Sequence, residues 1–561
     1  MAVTTGAQTL RPGKPRARVR FGSWDAATIV VAAIFAAPVL AVIGLAMAPA
    51  EDIWPHLIDT VLGGYIANTL IVMAGVGAGT LVTGVGTAWL VTMCQFPGRR
   101  IFEWALLVPL AVPGYVIAYT YTDLLEYAGP VQKALRVAFG WQSAQDYGFP
   151  DIRTIGGAVA MLTLVLYPYV YLLSRAAFLG QSICALEAGR TLGHGPWRSF
   201  WHIALPLARP AIAVGVALVL METLNDFGVM DYFAVQTFTV GIYNTWLGMN
   251  SLPGAAQLST VLLIFVLVLF GLEYAGRRGQ RYHEATPRHQ ALPGYRLRGP
   301  RAAAAAIGCG LPVVFGFVVP AWVLGGYALR YWAVALERNF FTLVGNSVLL
   351  SAMAAGLALS IALFLSYGAR LKGGAPIKAA TRFAAIGYAV PGAVLAVGVV
   401  MALAWFDRAV DFLSMSLFGV STGLIVSGTV VALLFAYVTR FLALAHGAVE
   451  AGMGRITPSM DDAARSLGAS AAATLRRVHI PMIRGSALTA ILLVFVDTMK
   501  ELPMTLLLRP FNFDTLATFT YQYAGDEQLE EAALSALTIV IAGIGPVILL
   551  SLAIRRSHRV I

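Results

Sequence analysis

The side chains best placed to do chemistry in this chain are four carboxylates in two matched pairs. Glu222 and Asp226 are four residues apart, and Asp497 and Glu501 repeat that spacing 275 residues later. Both pairs follow long apolar runs. Acids at membrane depth are costly, and by default they mark ion paths and gates. Carboxylate oxygens suit a hard cation, so these four could touch a cation in transit, form a gate or meet a delivering protein. The plainer alternatives are that Asp497 and Glu501 pair with Lys500 or Arg509, or cap helix ends. No catalytic residue can be assigned beside them. The chain lacks GxxxxGK[ST], HExxH and GxSxG patterns, its eight histidines are scattered, and no ligand set for a fixed metal stands out. Cys94, Cys184 and Cys309 are far apart and form no CxxC pair, so neither a disulfide framework nor a zinc site is indicated.

The elements that must position these acids are membrane helices. Of 561 residues, 58% are hydrophobic and only 12% charged, against roughly 25% charged in soluble domains. That excludes a soluble multidomain enzyme, a disordered chain and a secreted disulfide scaffold. A spanning helix needs about 20 mostly apolar residues. Twelve segments qualify, near 27–48, 66–93, 102–122, 155–173, 207–224, 256–275, 303–326, 342–366, 381–405, 423–443, 485–499 and 532–554. Open sheet is excluded in lipid, so an all-α membrane protein is expected. The net charge of +11 then reads as positive charge on the cytoplasmic face rather than as a nucleic-acid surface. Alternate loops carry the arginines, among them Arg99, Arg100, Arg175, Arg190, Arg198, Arg370, Arg555 and Arg556. The opposite loops carry Glu51, Asp52, Asp59 and Asp231. Twelve spans in a lipid bilayer, with both termini in the cytoplasm, fit this asymmetry.

The chain also repeats itself. Asn68-Thr69 recurs as Asn346-Ser347, and Val112-Pro113-Gly114 as Val390-Pro391-Gly392, both 278 residues on. Two six-span halves of equal orientation follow, residues 1–275 and 303–561, joined by a basic cytoplasmic linker at 276–302. The glycines at 75, 77, 79, 84 and 86 fall inside an apolar span and read as close helix packing, not as a nucleotide loop.

The long arginine-bearing loop of each half, 187–206 and 462–481, holds one pattern at one spacing. The first has Glu187, Ala188 and Gly189, then Gly193, Ile203, Leu205 and Pro206. The second has Asp462, Ala463 and Ala464, then Gly468, Val478, Ile480 and Pro481. An alanine-rich turn ended by a glycine and followed by a second segment stopping at proline reads as a compact helix–turn–helix. The pattern resembles the EAA loop of the inner-membrane permeases of binding-protein-dependent ABC importers. The resemblance implies that these residues dock on an ATPase. The chain has no nucleotide loop of its own, so ATP and magnesium would be bound by a separate, homodimeric ABC ATPase subunit. A periplasmic substrate-binding protein would deliver the cargo at the bacterial inner membrane. The stretch Val496 to Thr518 resembles the iron(III) branch of these permeases, as does the fused layout. This implies iron(III) as cargo, with thiamine, polyamines, phosphonates or sulfate as the alternatives found in related permeases. A twelve-span secondary transporter and a lipid-modifying membrane enzyme are the rival classes. The first lacks a reason to repeat a docking loop, and the second lacks clustered histidines or acids at one interface.

Overall fold

The computed structural model describes residues 23–49, 53–181, 187, 189, 191–277, 294–337, 339–372, 374–384, 387–388, 390–454 and 456–557. Ala188 and Cys184 lie outside them. So does most of the expected linker. Among the described residues, eleven helices are long and apolar enough to cross a membrane, and a bent pair makes a twelfth. The first-half spans are α1 (Ser23–Ala46), α2 (Leu62–Met93), the bent pair Arg99–Ala111 and Gly114–Phe139 with α3 (Gly114–Leu125) inside it, α4 (Ile155–Leu179) and α5 (Leu205–Asn225). Two short helices, α6 (Gly228–Tyr232) and α7 (Phe238–Tyr243), then precede α8 (Leu252–Arg277). The second half follows the same order: α9 (Pro300–Glu337), α10 (Phe340–Lys372), α11 (Gly392–Phe418), α12 (Val430–Met453), the loop helix α13 (Pro458–Ser466), α14 (Ile480–Met499), short α15 (Pro503–Leu508), α16 (Leu516–Gly525) and α17 (Leu529–Ser557). One two-stranded parallel pair, β1 (Cys94–Gln95) with β2 (Tyr295–Arg296), ties the end of the linker to the end of α2.

Boundaries depart from the sequence reading where backbone chemistry overrides hydropathy. The expected straight span at 102–122 bends by 90° between Ala111 and Gly114. Val112 precedes a proline and is extended, as such residues prefer, and Pro113 is extended too. The expected span at 423–443 starts at Val430 instead. Gly419, Gly423 and Gly428 all take positive φ, and the Asp411 carboxylate accepts from the Thr422 and Gly423 amides, so that apolar stretch is a structured loop. The acidic loops read at 225–255 and 500–531 contain short helices, largely buried, that fold back on the bundle. The repeated Asn-Thr/Ser pairs hold them there. Asn68 donates to the Gln236 carbonyl and Asn346 to the Asp514 carbonyl, at 3.0 and 2.9 Å. The Thr69 and Ser347 hydroxyls accept from the Phe238 and Leu516 amides.

The glycine run does pack helices closely. A Cβ on Gly75, Gly79 or Gly84 would meet Val159, Thr163 or Val170 of α4 within 2.8, 2.6 and 2.7 Å, so α2 and α4 touch backbone to side chain. Gly77 faces Leu220 of α5, and Gly86 faces open space.

The packing units are not the sequence halves. One apolar core joins α2, α3, α4 and α5 to residues of α9 and α17. The other joins α10, α11, α12 and α14 to residues of α1 and α8. The first and last spans of each half thus cross to the other half: α1 and α8 pack on α11, while α17 packs on the 108–111 turn beside the bend.

Candidate functional site

All four acids singled out in the sequence line one cavity of about 120 Å³ between the two halves. Glu222 and Asp226 sit at the end of α5, and Asp497 and Glu501 at the end of α14. The bend at Val112, Pro113 and Gly114 supplies part of the opposite wall. Here the repeated Val-Pro-Gly acquires a reason. A Cβ on Gly114 would come within 3.2 Å of Asp226 Oδ2, and one on Gly392 would overlap Arg440 and come within 3.1 Å of Glu501 Oε1. Each Val-Pro-Gly brings backbone against an acid, tightly at Gly114 and with no room for a Cβ at Gly392.

The two halves treat their acids differently. Glu501 is buried, pairs with Arg440 at 3.0 Å, and accepts from the Met504 and Thr505 amides that open α15. Asp497 pairs with Lys500 at 2.8 Å. Asp226 caps its short helix in the same way, accepting from the Val229 amide at 2.9 Å, yet no cation pairs with it among the described residues. Val165 occupies the position of Arg440 in the first half, and Asn225 that of Lys500. Glu222 accepts a hydrogen bond from the Tyr388 hydroxyl across the interface, at 2.7 Å. The alternatives left open by the sequence thus divide. Helix capping holds for Asp226 and Glu501, pairing with Lys500 holds for Asp497, and Arg509 pairs with Asp514 instead. Arg440, Tyr388, Tyr169 and Asn225 also line the cavity. Arg440 and Tyr388 find their partners far along the chain, so nothing local marked them. No group of three or more His, Cys, Asp or Glu residues able to hold a metal occurs among the described residues.

The repeated loops share a conformation. Gly193 and Gly468 both have φ of +77°. The His194 amide bonds the Gly189 carbonyl, and the Ala469 amide bonds the Ala464 carbonyl, closing identical turns at 2.9 and 3.0 Å. Just before each glycine stands an exposed leucine, Leu192 at 76% and Leu467 at 88%. Glu187, Asp462 and Ala463 are exposed, while Gly189 and Ala464 face inward. Gly189 replaces an alanine for a packing reason: a Cβ there would overlap Ile203. Leu205-Pro206 and Ile480-Pro481 open α5 and α14. Each loop and each acid pair are therefore two ends of one helix, roughly 25 Å apart at 1.5 Å per residue.

The second loop carries an additional latch. Arg370, at the end of α10, donates to Asp461 at 2.9 Å and to the Met453 and Ile456 carbonyls. His479 meets the other Asp461 oxygen at 2.6 Å. Burial opposes ionisation of Asp461, but these hydrogen bonds outweigh it and hold the carboxyl below its usual range.

Known proteins resemble this chain in sequence. Residues 81–279 match the family described as "Binding-protein-dependent transport system inner membrane component". The chain is 26% identical over 499 residues to the Fe(3+)-transport system permease protein FbpB 2 of Haemophilus influenzae, an alignment covering 86% of this chain and 89% of that protein. It is 25% identical over 477 residues to the ferric transport system permease protein FbpB of Actinobacillus pleuropneumoniae, covering 80% of this chain and 66% of that protein. It is 30% identical over 216 residues to the probable sulfate transport system permease protein cysT of Chlorokybus atmophyticus, covering 36% of this chain and 68% of that protein. With twelve apolar spans and twin loops of one geometry, this chain belongs to the binding-protein-dependent transport system inner membrane components and is a multi-pass transport permease.

Proposed function

We propose that this permease imports iron(III), taken from a periplasmic binding protein and moved to the cytoplasm by alternating access. Membership of the family implies an ABC ATPase and a periplasmic binding protein as partners. In this reading the ATPase is a homodimer that binds ATP and magnesium. One subunit grips Leu192 and the Glu187 turn, and the other grips Leu467 and the Asp462 turn. Both termini and both loops face the cytoplasm. The observation that carries the reading is the pair of loops, equal in turn geometry and each continuous with a helix that ends at the acidic cavity. When ATP closes the ATPase pair, the loops are drawn together and α5 and α14 move as rigid rods. The acids at their far ends then separate or meet. The ATPase must favour one of the two conformations to drive the exchange.

The cargo assignment is supported by two ferric permeases that align with most of the chain, and by the chemistry of the cavity. Its charged lining is four carboxylates against Arg440 and Lys500, an excess of acid that favours a cation over an oxyanion. Its remaining polar groups are phenols and an amide, which suit a hard ion. The test is uptake of radioactive ferric ion by cells that depend on this chain for iron. Uptake should vanish on deletion of the chain or of its ATPase and should survive an uncoupler. Uptake that ignores loss of the ATPase and collapses with the uncoupler would instead mean a secondary transporter.

A further inference from the structure

We propose that Lys500 is a tethered counter-cation standing in the ion path, and that the passing cation is met by the first-half acids Glu222 and Asp226 rather than by their second-half counterparts. The proposal rests on the cavity lying on the cargo path. It starts from the broken symmetry of the cavity. Four acids at twofold-related positions would repel one another if all were bare. The second half neutralises both of its acids, Glu501 through Arg440 and Asp497 through Lys500. The first half neutralises neither. Among the described residues, its Glu222 receives the Tyr388 hydroxyl, and its Asp226 receives backbone amide donation, with no cation on either.

The two neutralising cations are not equivalent. Arg440 is 8% exposed, its partner Glu501 is 3% exposed, and that carboxylate also caps α15. This pair is built into the wall. Lys500 is 24% exposed, ends a flexible stem, and bonds one carboxylate oxygen. It also lies close enough to Glu222 to feel its charge. A lysine ammonium is a compact point charge that rotates freely. It can swing between Asp497 and Glu222 as α14 and α5 move, and it occupies the position an arriving cation would take.

An independent observation points to a ligand here. Asn225 is 5% exposed, lines the cavity, and neither atom of its amide has a partner among the described residues. The hydroxyl of Tyr115, 4% exposed and also in the lining, has none either. Buried polar groups are ordinarily satisfied. Asn225 directly precedes the uncompensated Asp226, as a remaining oxygen donor of a transient site would, whereas the Tyr115 hydroxyl faces the cavity nearer Glu501. Asn225 is the twofold counterpart of Lys500: one half offers a carbonyl oxygen where the other holds a charge.

Terbium(III) tests this on the purified full chain in neutral-lipid nanodiscs, because a hard trivalent ion near Tyr115, Tyr169 and Tyr388 gives sensitised luminescence. Lys500→Met should raise the apparent terbium affinity by about tenfold or more, since it removes a positive charge a few ångströms from the site. Adding Glu222→Gln and Asp226→Asn to that variant should return the affinity to the wild-type level or below. An unchanged affinity in a folded Lys500→Met protein would overturn the proposal. So would tight binding that persists in the triple variant, because it would move the site to the second half. Should Lys500→Met not fold, Asn225→Lys gives the converse test. A second tethered cation should weaken terbium binding about tenfold and stop uptake, and wild-type behaviour in both would refute the idea. Terbium binding reads the site whatever the natural cargo, so loss of the iron reading and loss of this one are distinguishable.

Discussion

At the residue scale, the glycines carry more of this design than the charges do. Gly193 and Gly468 adopt a left-handed turn at which any Cβ is strained, although nothing crowds them. Valine at either position should cost about 1–2 kcal/mol locally. It should also misaim the exposed leucine beside it, so we expect ATP hydrolysis to continue while uptake falls. Measuring both rates in one preparation checks this, and normal uptake in both variants would contradict the docking role. Gly114 and Gly392 make a graded pair. Alanine at 392 would displace Arg440 from a buried ion pair, whereas alanine at 114 meets only contacts near 3.2 Å. Overpacking of this kind costs about 1–3 kcal/mol. Gly392→Ala should therefore lower the melting temperature in detergent clearly more than Gly114→Ala, and equal shifts would mean that the wall at Arg440 is softer than it looks.

Elements matter through what they connect. Helices α5 and α14 join a loop on one face to acids in the bundle, and α10 grips the second loop through Arg370. Arg370→Ala removes an ion pair and two donations to carbonyls. Hydrogen bonds to charged groups contribute about 1.5–3 kcal/mol. We expect α13 to loosen and trypsin to cut faster after Arg465, whose side chain is 71% exposed. The first loop should be cut at an unchanged rate. The same latch sets a pH expectation. A carboxyl whose folded pKa is depressed adds stability above its unfolded pKa and loses it as pH falls through the folded value. Asp461 is such a group. Protection of the α13 amides from hydrogen exchange, corrected for the intrinsic rate at each pH, should therefore hold from neutral pH to about 4, the ordinary aspartate value. Loss of protection already near pH 6 would mean that Asp461 is not what holds the loop.

The whole molecule is held together by exchange of spans. Because α1 and α8 cover the core of the second half, and α9 and α17 that of the first, neither half closes its own apolar surface. A chain cut within residues 278–293 should work when both pieces are co-expressed, with the pieces co-purifying. Either piece alone should be degraded. A stable, monodisperse single half would show that the exchanged spans are dispensable. Exchange also explains the fused layout mechanically: drawing the loops together cannot pull the halves apart when each is strapped by helices from the other.

What the sequence determined by itself was everything encoded over short range or by repetition. Hydropathy located twelve spans, the 275- and 278-residue echoes located two equivalent loops and four equivalent acids, and the Glu187 and Asp462 patterns carried the family resemblance. The glycine run announced tight packing, and Gly193 closing an alanine-rich turn announced a helix–turn–helix. What only the tertiary structure decided were the partnerships formed through space. Arg440 reaches Glu501 from 61 residues away and Tyr388 reaches Glu222 from 166 away, so no local period could reveal them. The burial of 226–251 and the crossing of α1 and α9 likewise depend on what packs opposite. The acids are equal by spacing. They become unequal only because their neighbours come from different helices, and the electrostatics of a site is set by proximity in space rather than by order along the chain.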